Sequence, residues 1–150
     1  MKRCGLEEKL DELLLQILFS FDQMSLVARF SDISHEKLRL APVLSTMLKV
    51  SRKKVLSSME IANTIFSRLP ELDAAINRLS EGYDITRVTK VDLAILRMAF
   101  YDILYGKNYD VDVVIQRAFR LARKFSSDPV CPYLHALVHS LHREQLECAV

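Results

Sequence analysis

Thr89-Lys90-Val91-Asp92-Leu93-Ala94-Ile95-Leu96-Arg97-Met98-Ala99-Phe100-Tyr101-Asp102-Ile103-Leu104 is the stretch whose reading decides the fold. Leu93, Ile95, Leu96, Met98, Ala99, Phe100, Ile103 and Leu104 leave it almost no polar face. A helix of that kind outside a membrane is stable only when other elements cover it, so the stretch predicts the centre of a helical bundle. Thr89 followed three residues later by Asp92 has the spacing of a capping box, and Gly106 just past the apolar run supplies a stop. The few polar groups, Asp92, Arg97, Tyr101 and Asp102, are the ones to question about function.

Helical spacing recurs outward from this centre. Leu6, Leu10, Leu13, Leu14, Ile17, Leu18 and Phe21 predict a first helix over residues 6–22. A second begins after Ser34 and is interrupted at Pro42, whose ring does not fit deep inside a helix. Apolar residues resume at Val43, Leu44, Met47 and Leu48. Arg52-Lys53-Lys54 reads as a basic link into a long helix carrying Val55, Met59, Ile61, Ile65 and Leu69. Pro70 starts a new helix over Glu71–Glu81, with Leu72, Ile76 and Leu79 inward. Beyond the central helix, Asp110 or Asp112 caps one that reaches Phe125. Pro132 opens the last, which ends near Glu144. No repeat, low-complexity segment or linker interrupts the chain. The expectation is an all-α protein, a single domain over residues 1–150 built as a compact bundle of about seven helices.

Composition narrows the function classes. A chain of 150 residues buries a core without cross-links. Three glycines and four prolines nearly exclude hairpins and Gly-rich phosphate loops. Cys4, Cys131 and Cys148 are odd in number and far apart, which argues against a disulfide framework and for a reducing cytosol. Lys2-Arg3 ahead of the apolar run at Leu13 does not make a secretory leader, because Glu7, Glu8, Asp11 and Glu12 lie between them. No apolar run approaches the roughly 18 residues a membrane span needs. The expectation is a soluble, cytoplasmic protein with no membrane association. No GxSxG, GxxxxGK[ST], HExxH or CxxC motif occurs, so nothing supports an enzyme and no cofactor is expected.

Two clusters remain. Cys131, His135, His139 and His142 fall within one arc of the last helix, and imidazoles one turn apart can converge on a metal. The apolar set Leu134, Leu137, Val138 and Leu141 lies on a different side, so an ordinary polar face is the preferred reading and no metal site is assigned. The helix before it, with Val113, Val114, Ala118, Leu121, Ala122 and Phe125 inward, places Arg117, Arg120, Arg123 and Lys124 together on its outer face. No acid balances them between Ile115 and Phe125. Clustered cations of this kind neutralise nucleic-acid phosphates, and the alternative is a merely solvated face. Arg52-Lys53-Lys54 is a second, shorter patch. At the amino terminus Lys2, Arg3 and Lys9 are outnumbered by acids.

Three segments together resemble the NusB family of bacterial transcription antitermination factors, over residues 9–141. Val91-Asp92-Leu93-Ala94-Ile95-Leu96-Arg97-Met98-Ala99-Phe100-Tyr101-Asp102-Ile103 is similar to the family pattern Val-Asp-x-Ala-Ile-Leu-Arg-x-Ala-x-Tyr-Glu-Leu. Leu15-Gln16-Ile17-Leu18-Phe19-Ser20-Phe21 agrees in the first helix. Ile115-Gln116-Arg117-Ala118-Phe119-Arg120-Leu121-Ala122-Arg123-Lys124-Phe125 stands where the family has Ile-Asn-Glu-Ala-x-Glu-Leu-Ala-Lys-x-Phe. The resemblance implies an all-helical bundle of two subdomains without enzymatic activity. It also implies binding of boxA RNA together with the ribosomal protein NusE, within an elongation complex holding other Nus factors, to help RNA polymerase read through terminators in ribosomal RNA operons. By position, Phe19, Phe21, Asp92 and Tyr101 would face NusE, and Phe125 and Tyr133 would lie near the RNA. For Asp92 the plain alternative is helix capping, and for Phe19 and Phe21 it is core packing.

Departures from the family qualify that picture. The family's Arg-rich amino-terminal segment, which grips RNA, is replaced by Glu7, Glu8, Lys9 and Asp11, leaving Lys2, Arg3 and Lys9 as its cations. Tyr133-Leu134-His135-Ala136 replaces a Phe-Val-Asn-Gly, while two family glutamates have become Arg117 and Arg120. Either the RNA path lies along that helix, or the protein is an adaptor that keeps protein binding alone.

Overall fold

A computed structural model of the chain describes residues 8–19, 42, 45–46, 49–81, 88–106 and 109–148. Among these residues all regular structure is helical: α1 (residues 8–19), α2 (Arg52–Ser67), α3 (Leu69–Leu79), α4 (Lys90–Tyr105), α5 (Val111–Phe125) and α6 (Cys131–Cys148). A single 3-10 turn, Asp128–Val130, precedes α6. The all-helical class read from the sequence is therefore the observed one. The chain divides into two compact units, Met1–Phe66 and Ser67–Val150.

In the first unit α1 buries Leu13, Leu14, Ile17 and Leu18 of the expected stripe, leaves Leu10 half-buried, and buries Leu15, which the spacing had not included. The expected ends of this helix at 6 and 22, and most of the expected second helix, lie outside the described residues. Pro42 itself is helical, and Thr46 Oγ1 donates to its carbonyl at 3.0 Å. Arg52-Lys53-Lys54 is not a link but the exposed first turn of α2. Ser51 decides this: its hydroxyl accepts from the Lys54 amide at 3.3 Å, and its carbonyl from the Val55 amide at 3.1 Å. A side-chain cap of this sort outweighs the modest penalty of cations at a helix amino end. Val55, Ser58, Met59, Ala62 and Ile65 form the buried stripe of α2, whereas Ile61 is 43% exposed.

The second unit is organised around α4. Nine of its sixteen residues are buried, Asp92 and Arg97 among them, and it packs against α3, α5 and α6. Ile95, Leu96 and Phe100 have no exposed surface, and each such side chain contributes roughly 1.5–3 kcal/mol of transfer free energy. The capping box forms as its spacing predicted. Thr89 Oγ1 accepts from the Asp92 amide at 3.1 Å, and Asp92 Oδ2 accepts from the Thr89 amide at 3.2 Å. Gly106 ends the helix in an extended conformation rather than a left-handed one (φ −74°, ψ 144°), donating to the Asp102 carbonyl at 3.0 Å. Glycine is needed there for close approach, since a Cβ would collide with that same carbonyl oxygen.

Four boundaries differ from expectation. α3 starts at Leu69, with Pro70 in its first turn, so Leu69 opens this helix instead of closing α2. It stops at Leu79. α6 starts at Cys131 and continues to Cys148, about one turn past Glu144, because Gln145, Leu146 and Glu147 are good helix formers and no breaker intervenes. In α5 the buried stripe is Val114, Ile115, Ala118, Leu121 and Ala122, while Val113 is 60% exposed. At 100° per residue, Val113 sits about 140° from Ala118 and points outward. Phe125, expected inward, is half-buried.

Candidate nucleic-acid interface

α5 has two flanks, and each meets a different helix. On one flank Arg117 pairs with the Asp102 carboxylate of α4 and reaches the Met98 carbonyl at 3.4 Å. Arg117 therefore leaves the outer face that spacing alone assigned to it and ties α5 to α4. Burial pushes the Asp102 carboxyl above its ordinary 3.8, against the opposing pull of Arg117. On the other flank Phe119 meets His135 of α6, with ring centroids 6.2 Å apart.

Arg123 and Lys124 are exposed between these flanks, and Arg120 is half-buried beside them with its Nε buried. With Gln116 and Phe119 they line a surface cleft of about 390 Å³ that contains no acidic residue among the described residues. The Arg123 guanidinium lies 5.7 Å from the Phe119 ring centre, and the Lys124 ammonium lies 5.7 Å from that of Phe125. Arg123 Nε is also 3.4 Å from Asp128, but these side chains are 63% and 80% exposed, so the pair is weak and readily exchanged. A wall of cations beside an aromatic ring can neutralise phosphates and stack an unpaired base. Phe119 and Gln116 were missed by sequence reasoning. The available signal was that Phe119 is an aromatic residue off the inward stripe.

The other candidates fall in several places. Lys2, Arg3 and Phe21 lie outside the described residues. Lys9 is exposed on α1, and Phe19 is half-buried there, both in the first unit. Tyr133 is half-buried in the first turn of α6. Asp92 is 2% exposed and committed to the capping box, and its Oδ1 has no hydrogen-bond partner among the described residues. Tyr101 is half-buried, with its ring 5.6 Å from that of Tyr105, over which Arg68 is placed at 5.0 Å.

The histidines of α6 form a row. His135 and His139 have ring centroids 5.2 Å apart, His139 and His142 6.2 Å, and His142 Nδ1 is 2.8 Å from the Tyr109 hydroxyl. His135 is exposed, the other two half-buried. Cys131 does not join them: it is buried, and burial raises its thiol above the ordinary 9.0, with Arg123 lowering it and Asp128 and Asp92 adding to the rise. Among the described residues no group of three or more His, Cys, Asp and Glu is placed to hold a metal ion. No helix among them is long and apolar enough to cross a membrane.

A second cleft of about 550 Å³ lies between α3, the end of α4 and the end of α6, lined in part by Glu71, Arg78, Tyr105, Glu144 and Glu147. Arg78 pairs with Glu144 across it at 2.6 Å. Its mixed charge suits neither a polyanion nor a polycation.

Comparison with known proteins follows the same lines. The profile described as the NusB family matches residues 9–130. The transcription antitermination protein NusB of Chlamydia pneumoniae is 27% identical over 135 residues, covering 90% of this chain and 79% of that protein. That of Geotalea daltonii is 28% identical over 130 residues, covering 87% and 89%. A shorter match to the NusB of Natranaerobius thermophilus reaches 39% over 72 residues, 48% of this chain and 52% of that protein. Against Ruminiclostridium cellulolyticum the match likewise spans 59% of the relative's length.

Proposed function

Because this chain belongs to the NusB family, and so to the transcription antitermination factors, we propose that it binds boxA-type RNA jointly with the ribosomal protein NusE and promotes read-through by RNA polymerase, notably in ribosomal RNA operons. It does so in the cytoplasm, with the elongation complex and other Nus factors as partners and no catalytic step of its own. The observation that carries the RNA part is the cleft of α5, where Arg120, Arg123 and Lys124 stand beside Phe119 with no acid among the described lining residues. Phosphate neutralisation supplies most sequence-independent affinity for RNA, and a ring in the same cleft supplies a place for a base. Arg117 acts in this reading as the tie that sets the angle of α5 and not as an RNA contact. Phe125, beside Lys124, and Tyr133 are supporting candidates, and Lys2, Arg3 and Lys9 add charge from the amino terminus. For the NusE side, Phe19, Phe21 and Tyr101 are the candidate contacts, with Asp92 acting through the helix end it caps.

Titration of boxA-type RNA with and without NusE, at two salt concentrations, tests the reading. Affinity should fall steeply with salt, and Arg120→Glu with Arg123→Glu should abolish it. Unchanged binding in that double variant would sink the α5 path. One observation favours the adaptor reading instead: α1 begins with Glu8, Asp11 and Glu12 around a single Lys9, a segment that repels phosphate. Recovery of NusE in a pull-down, together with no shift of boxA RNA in a gel, would decide for the adaptor.

A further inference from the structure

The cationic cleft does not end at α5. Phe119 belongs to its lining and also touches His135, which begins a row of rings along α6. From Arg123 over Phe119, the steps to His135, His139, His142 and Tyr109 are 5.7, 6.2, 5.2, 6.2 and 5.6 Å between centres. The first two ring pairs are tilted by 36° and 38°, between parallel and edge-to-face. The last two contacts are near perpendicular, at 89° and 84°, and the Tyr109 hydroxyl bonds to His142 Nδ1 at 2.8 Å. That end is locked by its own edge-to-face packing and hydrogen bond. Phe119, His135 and His139 lie outside that hydrogen bond, with His135 exposed and the other two half-buried.

We infer that Phe119, His135 and His139 form a base-stacking track for single-stranded RNA that continues from the cationic cleft of α5 onto α6. The argument is chemical. A polyanion alone would be held by the Arg120, Arg123 and Lys124 side of the cleft and would gain nothing from rings. Unpaired bases have a flat face to stack and polar edges, and an imidazole offers both a flat face and ring nitrogens for those edges. Double-stranded RNA hides its bases and is read by shape, so it does not use such a track. Asp128, which pairs with Arg123 beside the row, is exposed and exchangeable for a phosphate. The track gives a use to histidines that sequence reading set aside as a polar face, and it includes Phe119, which neither the spacing nor the family resemblance singled out.

This inference rests on the RNA-binding reading, and one experiment separates the two. The full-length protein is titrated, with NusE present, into boxA-type RNA carrying 2-aminopurine in place of one adenine, whose fluorescence is quenched on stacking. His135→Ala with His139→Ala should weaken binding about tenfold, the loss of roughly one stacked base, and relieve the quenching while leaving the salt slope unchanged. His135→Phe with His139→Phe should restore both affinity and quenching, which a charge role or a merely structural role would not do. His135 is exposed and His139 half-buried, so far-UV circular dichroism should report the same fold for all three proteins. If the alanine pair binds as tightly as the native protein, or the phenylalanine pair binds as weakly as the alanine pair, the track is overturned while RNA binding stands. If the native protein fails to bind at low salt, the RNA-binding reading falls and the track falls with it.

Discussion

Arg97 and Arg117 are both arginines on helices of the second unit, and burial gives each a partner that no local pattern announces. Arg97 is 9% exposed, and its Nε and Nη2 meet the two carboxylate oxygens of Asp73 at 2.9 and 3.0 Å, pinning α4 to α3. A buried guanidinium deprived of that fork keeps its desolvation cost, whereas an apolar replacement does not. Arg97→Met should therefore cost less in urea denaturation than Asp73→Ala, which strands the charge and should cost about 1–3 kcal/mol. Asp102 carries a pH signature. Burial raises its carboxyl above 3.8 in the folded chain, so the folded state holds that proton more tightly than the unfolded one. In the window from 3.8 upward the folded state thus binds more protons, and the stability this group contributes falls as pH rises through its raised value. Asp102→Asn should remove that slope, so the gap between native and variant stability should shift as pH rises above 3.8, in a direction that disfavours the native protein. An identical pH dependence in the two proteins would refute it.

Among the elements, α4 and α5 show how far periodicity reaches. The capping box at Thr89 and Asp92 was legible because it depends on residues three apart within one turn. The all-round burial of α4 was legible because it has no polar side to turn outward. The register of α5 was less so: a run of Val111, Val113, Val114 and Ile115 lets several stripes be drawn, and only packing against α4 and α6 chooses Val114 with Ile115 over Val113. This gives a paired prediction. Leu96→Ala, at a site with no exposed surface, should cost about 2–5 kcal/mol, whereas Val113→Ala should change stability by no more than about 0.5 kcal/mol. Equal effects in denaturant titrations would mean that the stripe is drawn wrongly. The same packing draws Arg117 of the basic face toward Asp102. Arg117 lies within the reach of α4 and is consumed there, leaving three cations to the cleft.

At the scale of the whole molecule, both compact units carry candidates for the two proposed contacts: Lys9 and Phe19 belong to the first, and the cleft, the ring row and Tyr101 to the second. RNA that binds the folded chain and not the unfolded one must stabilise it by linkage. At 100 times its Kd the gain should be about 2.7 kcal/mol, read as a shift of the urea midpoint, and the Arg120→Glu, Arg123→Glu variant should show none. The sequence by itself determined the helical class, the central helix with its cap, and the family, because these rest on contacts within a few residues or on order along the chain. Only the tertiary structure decided which side chains remain available for a partner. Asp92 is sealed under its own cap, Arg117 is spent on Asp102, and Phe119 meets His135 across two helices. The physical reason is that availability depends on what packs against a side chain. Those neighbours lie 15 to 24 positions away for the two arginines, a separation at which no helical period carries information.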